Sequence, residues 1–116
     1  MSLGANFAQL AEDLPPEDLR HVIGVFQADV PRLVDSLSAA AAGDAYRSQR
    51  VAHSLAGAAG VLGAIELEHA CRALMTRKHL DPAVLGGSAR AIAEAAAAAL
   101  ADVAVHAAVL DQPGRT

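Results

Sequence analysis

Ala52-His53-Ser54-Leu55-Ala56-Gly57-Ala58-Ala59-Gly60-Val61-Leu62-Gly63-Ala64 is the stretch on which the reading of this chain turns. Ala52, Leu55, Ala59 and Leu62 recur at spacings of three and four, the period of one apolar face of an α-helix. At about 100° per residue, His53 lies roughly 150° from the centre of that face and points to solvent. Gly57 shares its side one turn on, Ala56 and Gly60 flank it, and Arg50 one turn earlier is a neighbour. The spacing predicts an outward face of Arg50, His53, Ala56, Gly57 and Gly60: one nucleophilic ring, one cation and no bulk. Each glycine inside a helix costs roughly 0.5–1 kcal/mol relative to alanine. Gly60 and Gly63 can serve a helix end. Gly57 is mid-helix and outward, where losing a side chain helps only if something large must approach the ring.

Working outward, the same period recurs along the chain. Phe7, Leu10 and Leu14 fit a short first helix ended by Pro15-Pro16. Leu19, Val22, Ile23, Phe26, Val30, Leu33, Val34 and Leu37 form the next stripe, with Pro31 predicting a kink or local break inside it. Gly43-Asp44 reads as a stop followed by an N-cap. A fourth helix is predicted from about Ile65 to Lys78, with Leu67, Ala70, Cys71 and Leu74 inward. Arg77, Lys78 and His79 suit its negative end. Asp81-Pro82 starts the last helix, and Gly86-Gly87 predict fraying or a break in its first turns. No stretch alternates with the period of a strand. The expectation is an all-α, up-down-up-down antiparallel four-helix bundle with a short extra N-terminal helix as a lid. Residues 1–111 form its single domain and Gln112–Thr116 a flexible tail.

Composition narrows the function. With 3% aromatic residues and a net charge of −4, the chain lacks both the stacking surface and the basic face that nucleic acids require. The lone Cys71 excludes an internal disulfide and reads as a buried, inert thiol. A reducing cytoplasmic setting is compatible with that count, and no basic leader followed by an apolar run marks a signal peptide. Ala91 to Leu110 is largely Ala, Val and Leu. Its Glu94 and Asp102 argue against a membrane span, since a central Asp costs about 2.5–3.5 kcal/mol on insertion. Dimerisation through this alanine-rich helix is open, so monomer and homodimer both stand.

The opening stretch resembles the active helix of histidine-containing phosphotransfer (HPt) domains, which typically read A-H-x-L-K-G-S/A-S/A-x-x-L/I/V-G-A/L. The likeness extends upstream to Phe26-Gln-Ala-Asp-Val-Pro31-Arg-Leu-Val34 and Gly43-Asp44, and downstream to Leu67 through Leu74, about residues 15 to 80 in all. It implies a phosphorelay intermediate. His53 would take a phosphoryl group on Nε2 from a receiver-domain aspartyl phosphate and pass it to another receiver aspartate. The partners implied are response-regulator receiver domains and a sensor or hybrid histidine kinase. The resemblance implies no cofactor of the chain's own, with Mg2+ on the partner receiver. A free imidazole is mostly neutral at pH 7 and offers a lone pair. No glycine-rich nucleotide loop is present, so autonomous kinase activity is not expected.

Two positions depart from the family pattern. Ala56 stands where the family has a Lys that holds phosphoryl oxygens, and Met75 where many members have a Glu that orients the imidazole. Arg50 is the candidate to replace the missing cation. The alternative is a degenerate bundle that docks receiver or kinase domains without efficient transfer. Glu66 and His69 show the i, i+3 spacing of di-iron bundles, but no second such motif or further inward carboxylates accompany them, so no metal site is expected.

Overall fold

The computed structural model describes residues 3–111. Among these the chain forms five helices and no strand: α1 (Gly4–Asp13), α2 (Pro16–Ala40), α3 (Ala45–Leu62), α4 (Ile65–Thr76) and α5 (Pro82–Leu110). The predicted tail Gln112–Thr116 lies outside the described residues. α2 packs on α3, α3 on α4, α4 on α5 and α5 back on α2. Hydrogen bonds fix the directions. Arg20 near the start of α2 reaches Asp111 at 3.2 Å and the Leu110 carbonyl at 3.0 Å, at the end of α5. The result is the antiparallel four-helix bundle expected, with α1 across its end.

Local chemistry sets the boundaries. Asp44 caps α3, its carboxylate accepting from the Arg47 N–H at 2.9 Å. Asp81 does the same for Val84 at 2.9 Å, with Pro82 in the first turn of α5. α3 stops at Gly63, which takes the left-handed conformation with φ 70°. There the Ala64 N–H donates to Ala59 O at 2.8 Å and the Gly63 N–H to Gly60 O at 3.3 Å. This pair of bonds satisfies carbonyls that the last turn would otherwise leave open.

Neither of two expected breaks occurs. α2 runs unbroken through Pro31. The proline cannot bond the Gln27 carbonyl, but both residues are exposed, so water can take that acceptor while Phe26, Val30 and Leu37 anchor the opposite face. α5 likewise runs unbroken through Gly86-Gly87, held by the Asp81 cap and by buried Leu85 and Ala89. α4 ends at Thr76, two residues before the expected boundary, and Arg77 is extended.

The core is aliphatic. Leu19, Leu37, Leu55, Leu62, Leu67, Leu74, Leu85 and Ile92 are essentially inaccessible, and each such side chain contributes roughly 1.5–3 kcal/mol by leaving water. Ser48 is the buried polar side chain among the described residues, and its hydroxyl donates to Asp44 O at 2.8 Å. With only 12 residues, α4 is too short to accompany all of α5. α1 covers part of the remainder, with Leu3 and Phe7 buried and Phe7 stacked on His106 at 4.3 Å between ring centres. α5 is long and apolar enough to cross a membrane by length and composition alone. In the fold its Ile92, Ala96, Ala99 and Val103 are buried in the bundle.

Candidate functional site

α3 positions the site. Its stripe Ala52, Leu55, Ala59 and Leu62 is fully buried, and this turns His53, Gly57 and Gly60 out to solvent. A Cβ built on Gly57 meets no heavy atom within 4 Å, and one on Gly60 meets only Glu68 Oε1 at 3.9 Å. Neither glycine is required by crowding or by backbone conformation, because Gly63 carries the positive φ among the described residues. The ring therefore stands at one end of a cleared ribbon along α3.

One expected member of this face is not on it. Ala56 is 3% exposed. It lies about 60° round the helix from His53, on the flank where Gln49 and Gly60 meet α4. The inner face is broader than the four-residue stripe, because α4 closes against α3 on that side. A lysine there would have to lead its stem out of the α3–α4 seam before its charge could reach the ring.

Arg50 is exposed, but its guanidinium carbon sits 5.8 Å from the Tyr46 ring centre. It thus leans toward the start of α3, over an open cleft lined by Tyr46, Arg47, Arg50, Val51 and Ser54. Among the described residues no hydrogen bond or ion pair engages His53, so the fold places Arg50 beside the site without bringing its charge to the ring. An exposed cation–π contact is worth only about 0.5–1 kcal/mol, a small barrier to swinging toward a new anion. Met75 is half-buried at the far end of α4.

Two features went unread in the sequence. Gln49, one turn before His53, donates its side-chain amide to the carbonyls of Leu74, Met75 and Arg77 at 3.2, 3.3 and 3.4 Å. It caps the end of α4 from α3. Its i−4 position relative to His53 was the available signal. On the other flank of the ribbon, α2 and α3 enclose a shallow cavity of about 200 Å³ lined by His21, Val22, Val25, Phe26, Ala58 and Val61 among others. Val25 and Val61 are 45% and 60% exposed, so an apolar surface adjoins the glycines.

The remaining titratable groups build no competing site. Glu66 and His69 are exposed, and among the described residues no cluster of three His, Cys, Asp or Glu side chains could hold a metal ion. Cys71 is buried, and that burial, reinforced by the Glu68 carboxylate, pushes its thiol up to about 12. It is not a nucleophile in the folded protein.

No curated protein and no solved structure matches the chain. The family model of the Hpt domain does, over residues 21–102. That match takes in α3 and α4 entire and continues into α5, beyond the stretch whose residues carry the resemblance. It spans more than two-thirds of the chain, centred on an exposed histidine in a four-helix bundle, and the chain belongs to the Hpt domain family, which serves phosphotransfer in two-component signalling.

Proposed function

We propose that His53 is the phosphoacceptor of this domain, taking a phosphoryl group from a receiver aspartyl phosphate and passing it to a receiver aspartate. The observation that carries this reading is the cleared ribbon: an exposed imidazole with Gly57 open to solvent one turn away and no steric reason for the glycine. In-line displacement requires the phosphorus to come to about 3 Å from the ring nitrogen. A receiver pocket can make that approach only over a surface without side chains. Gly57 and Gly60 supply that surface, and the apolar cavity between α2 and α3 extends it.

In this reaction the Nε2 lone pair of His53 attacks phosphorus, the aspartyl oxygen–phosphorus bond breaks, and the carboxylate leaves. Phosphoryl transfer depends chiefly on positioning and on neutralising the equatorial oxygens. The receiver is expected to bring Mg2+ and most of that neutralisation, while this chain contributes the nucleophile and the docking face, with Arg50 free to leave Tyr46 for the phosphoryl oxygens. Ala56 takes no docking role, being buried. The partners are receiver domains and a sensor or hybrid kinase, and the setting is cytoplasmic.

The alternative, a module that docks receivers without efficient transfer, is favoured by the absence of a cation on His53. One experiment separates the two. Receivers charged with acetyl phosphate are mixed with the wild-type domain and with His53→Gln. Relay predicts acid-labile, base-stable label on the wild type and none on the variant. Receiver binding without label on the wild type would overturn it.

A further inference from the structure

From the packing at the start of α3 we infer that Gln49 is the positioning residue for His53: the two are not hydrogen-bonded in this structure, and a turn of the imidazole toward Oε1 lets the ring donate its Nδ1–H there and leaves the Nε2 lone pair facing the incoming phosphorus. The inference rests on His53 being the phosphoacceptor and supplies what Met75 cannot, an acceptor for the ring. The orientation of the Gln49 amide is dictated by its surroundings. Three carbonyl oxygens, those of Leu74, Met75 and Arg77, lie 3.2–3.4 Å from its nitrogen. Carbonyls accept and cannot donate, so the NH2 group must face them and the oxygen must face away. No buried side-chain oxygen among the described residues lacks a partner. The Oε1 is therefore not sealed in the seam but opens toward the surface.

Gln49 lies four residues before His53, on the same side of α3, and helical side chains lean back over the preceding turn. The two groups within that reach are Arg50 and Gln49. Arg50 has no acceptor and rests on Tyr46. Gln49 has one, held on a side chain whose other end is bonded to a different helix. An acceptor on Nδ1–H fixes the tautomer and the ring plane, as outer partners do for other functional histidines. During transfer the Nδ1 proton stays in place. The new bond joins Nε2 to phosphorus, and the positive charge that develops on the ring strengthens the hydrogen bond to Oε1.

Two substitutions separate this role from the cap on α4. Gln49→Lys keeps a donor for the three carbonyls and removes the acceptor. Gln49→Glu keeps the acceptor and removes the donor. Nitrogen-15 NMR of the histidine-labelled domain reads the His53 tautomer directly, with no partner present. We expect the Nδ1–H form to predominate in the wild type and in Gln49→Glu and to lose its advantage in Gln49→Lys, while circular dichroism shows the helices of Gln49→Lys retained. Transfer from a charged receiver should fall roughly two- to ten-fold in Gln49→Lys, the effect of one net hydrogen bond, and recover in Gln49→Glu. An identical tautomer balance in the wild type and Gln49→Lys overturns the inference. If Gln49→Lys does not fold, the same spectrum of Gln49→Glu decides, since loss of the Nδ1–H form there overturns it equally. A tautomer bias without any phosphorylation leaves Gln49 its role and removes the relay. Phosphorylation without the bias does the reverse.

Discussion

Gly57 offers a test in which stability and function should move in opposite directions. It lies inside α3, its backbone is helical, and a Cβ added to it meets nothing within 4 Å. Gly57→Ala therefore introduces no clash and removes conformational freedom from the unfolded chain. It should stabilise the domain by about 0.5–1 kcal/mol, or roughly 2–4 °C in Tm for a domain of this size. Gly57→Leu should gain almost as much, since leucine is nearly as good a helix former. The leucine, however, places four carbons one turn above His53, on the face proposed to seat a receiver. Overpacking a fitted interface costs about 1–3 kcal/mol, so transfer at subsaturating receiver should slow by about five- to a hundred-fold. The loss should appear mainly as a raised KM for the receiver, because His53, the proposed phosphoacceptor, is itself untouched. Thermal unfolding and rapid-quench transfer on the same preparations give both numbers. A Gly57→Leu protein that is more stable and transfers at the wild-type rate refutes the docking face. A destabilised Gly57→Ala refutes the reading that the position is sterically free.

Two further outcomes follow from the fold. Gly63→Ala must hold a Cβ at φ 70°, which should lower stability by about 1–2 kcal/mol in urea unfolding, while Gly60→Ala, in ordinary helical geometry, should not destabilise. Cys71, with its thiol pushed up to about 12 from an ordinary value near 9, keeps its proton in the folded state through a range where the unfolded thiol has lost it. The unfolded state then binds fewer protons, so the contribution is fully present below pH 9 and is lost as pH rises toward 12, at no more than about 1.4 kcal/mol per pH unit. Unfolding free energies measured from pH 8 to 11 should decline more steeply for the wild type than for Cys71→Ala, and equal slopes would contradict the burial argument.

The helices and their inner faces were legible because periodicity and caps are local. Asp44, Asp81-Pro82 and Gly63 each act on backbone groups within a few residues, and Ala52, Leu55, Ala59 and Leu62 fix one another's direction through the helix alone. The same reasoning put His53 in solvent, since a residue opposite four buried ones has nowhere else to point. Position 56 was misread because it stands at the margin of the inner face, about 80° from its centre at 100° per residue. There a neighbouring helix decides between burial and exposure, and no spacing within α3 could say that α4 closes on that flank. The uninterrupted courses of α2 and α5 have the same origin, for buried anchors on one face outweigh a proline or a glycine pair whose local preference is to end a helix. Gln49 and the α2–α3 cavity depend on residues more than 20 positions apart. The sequence alone thus determined the exposed histidine, the bundle and the family, all properties of single segments. Tertiary packing decided which side chains surround the ring, because that depends on how one helix rests against the next.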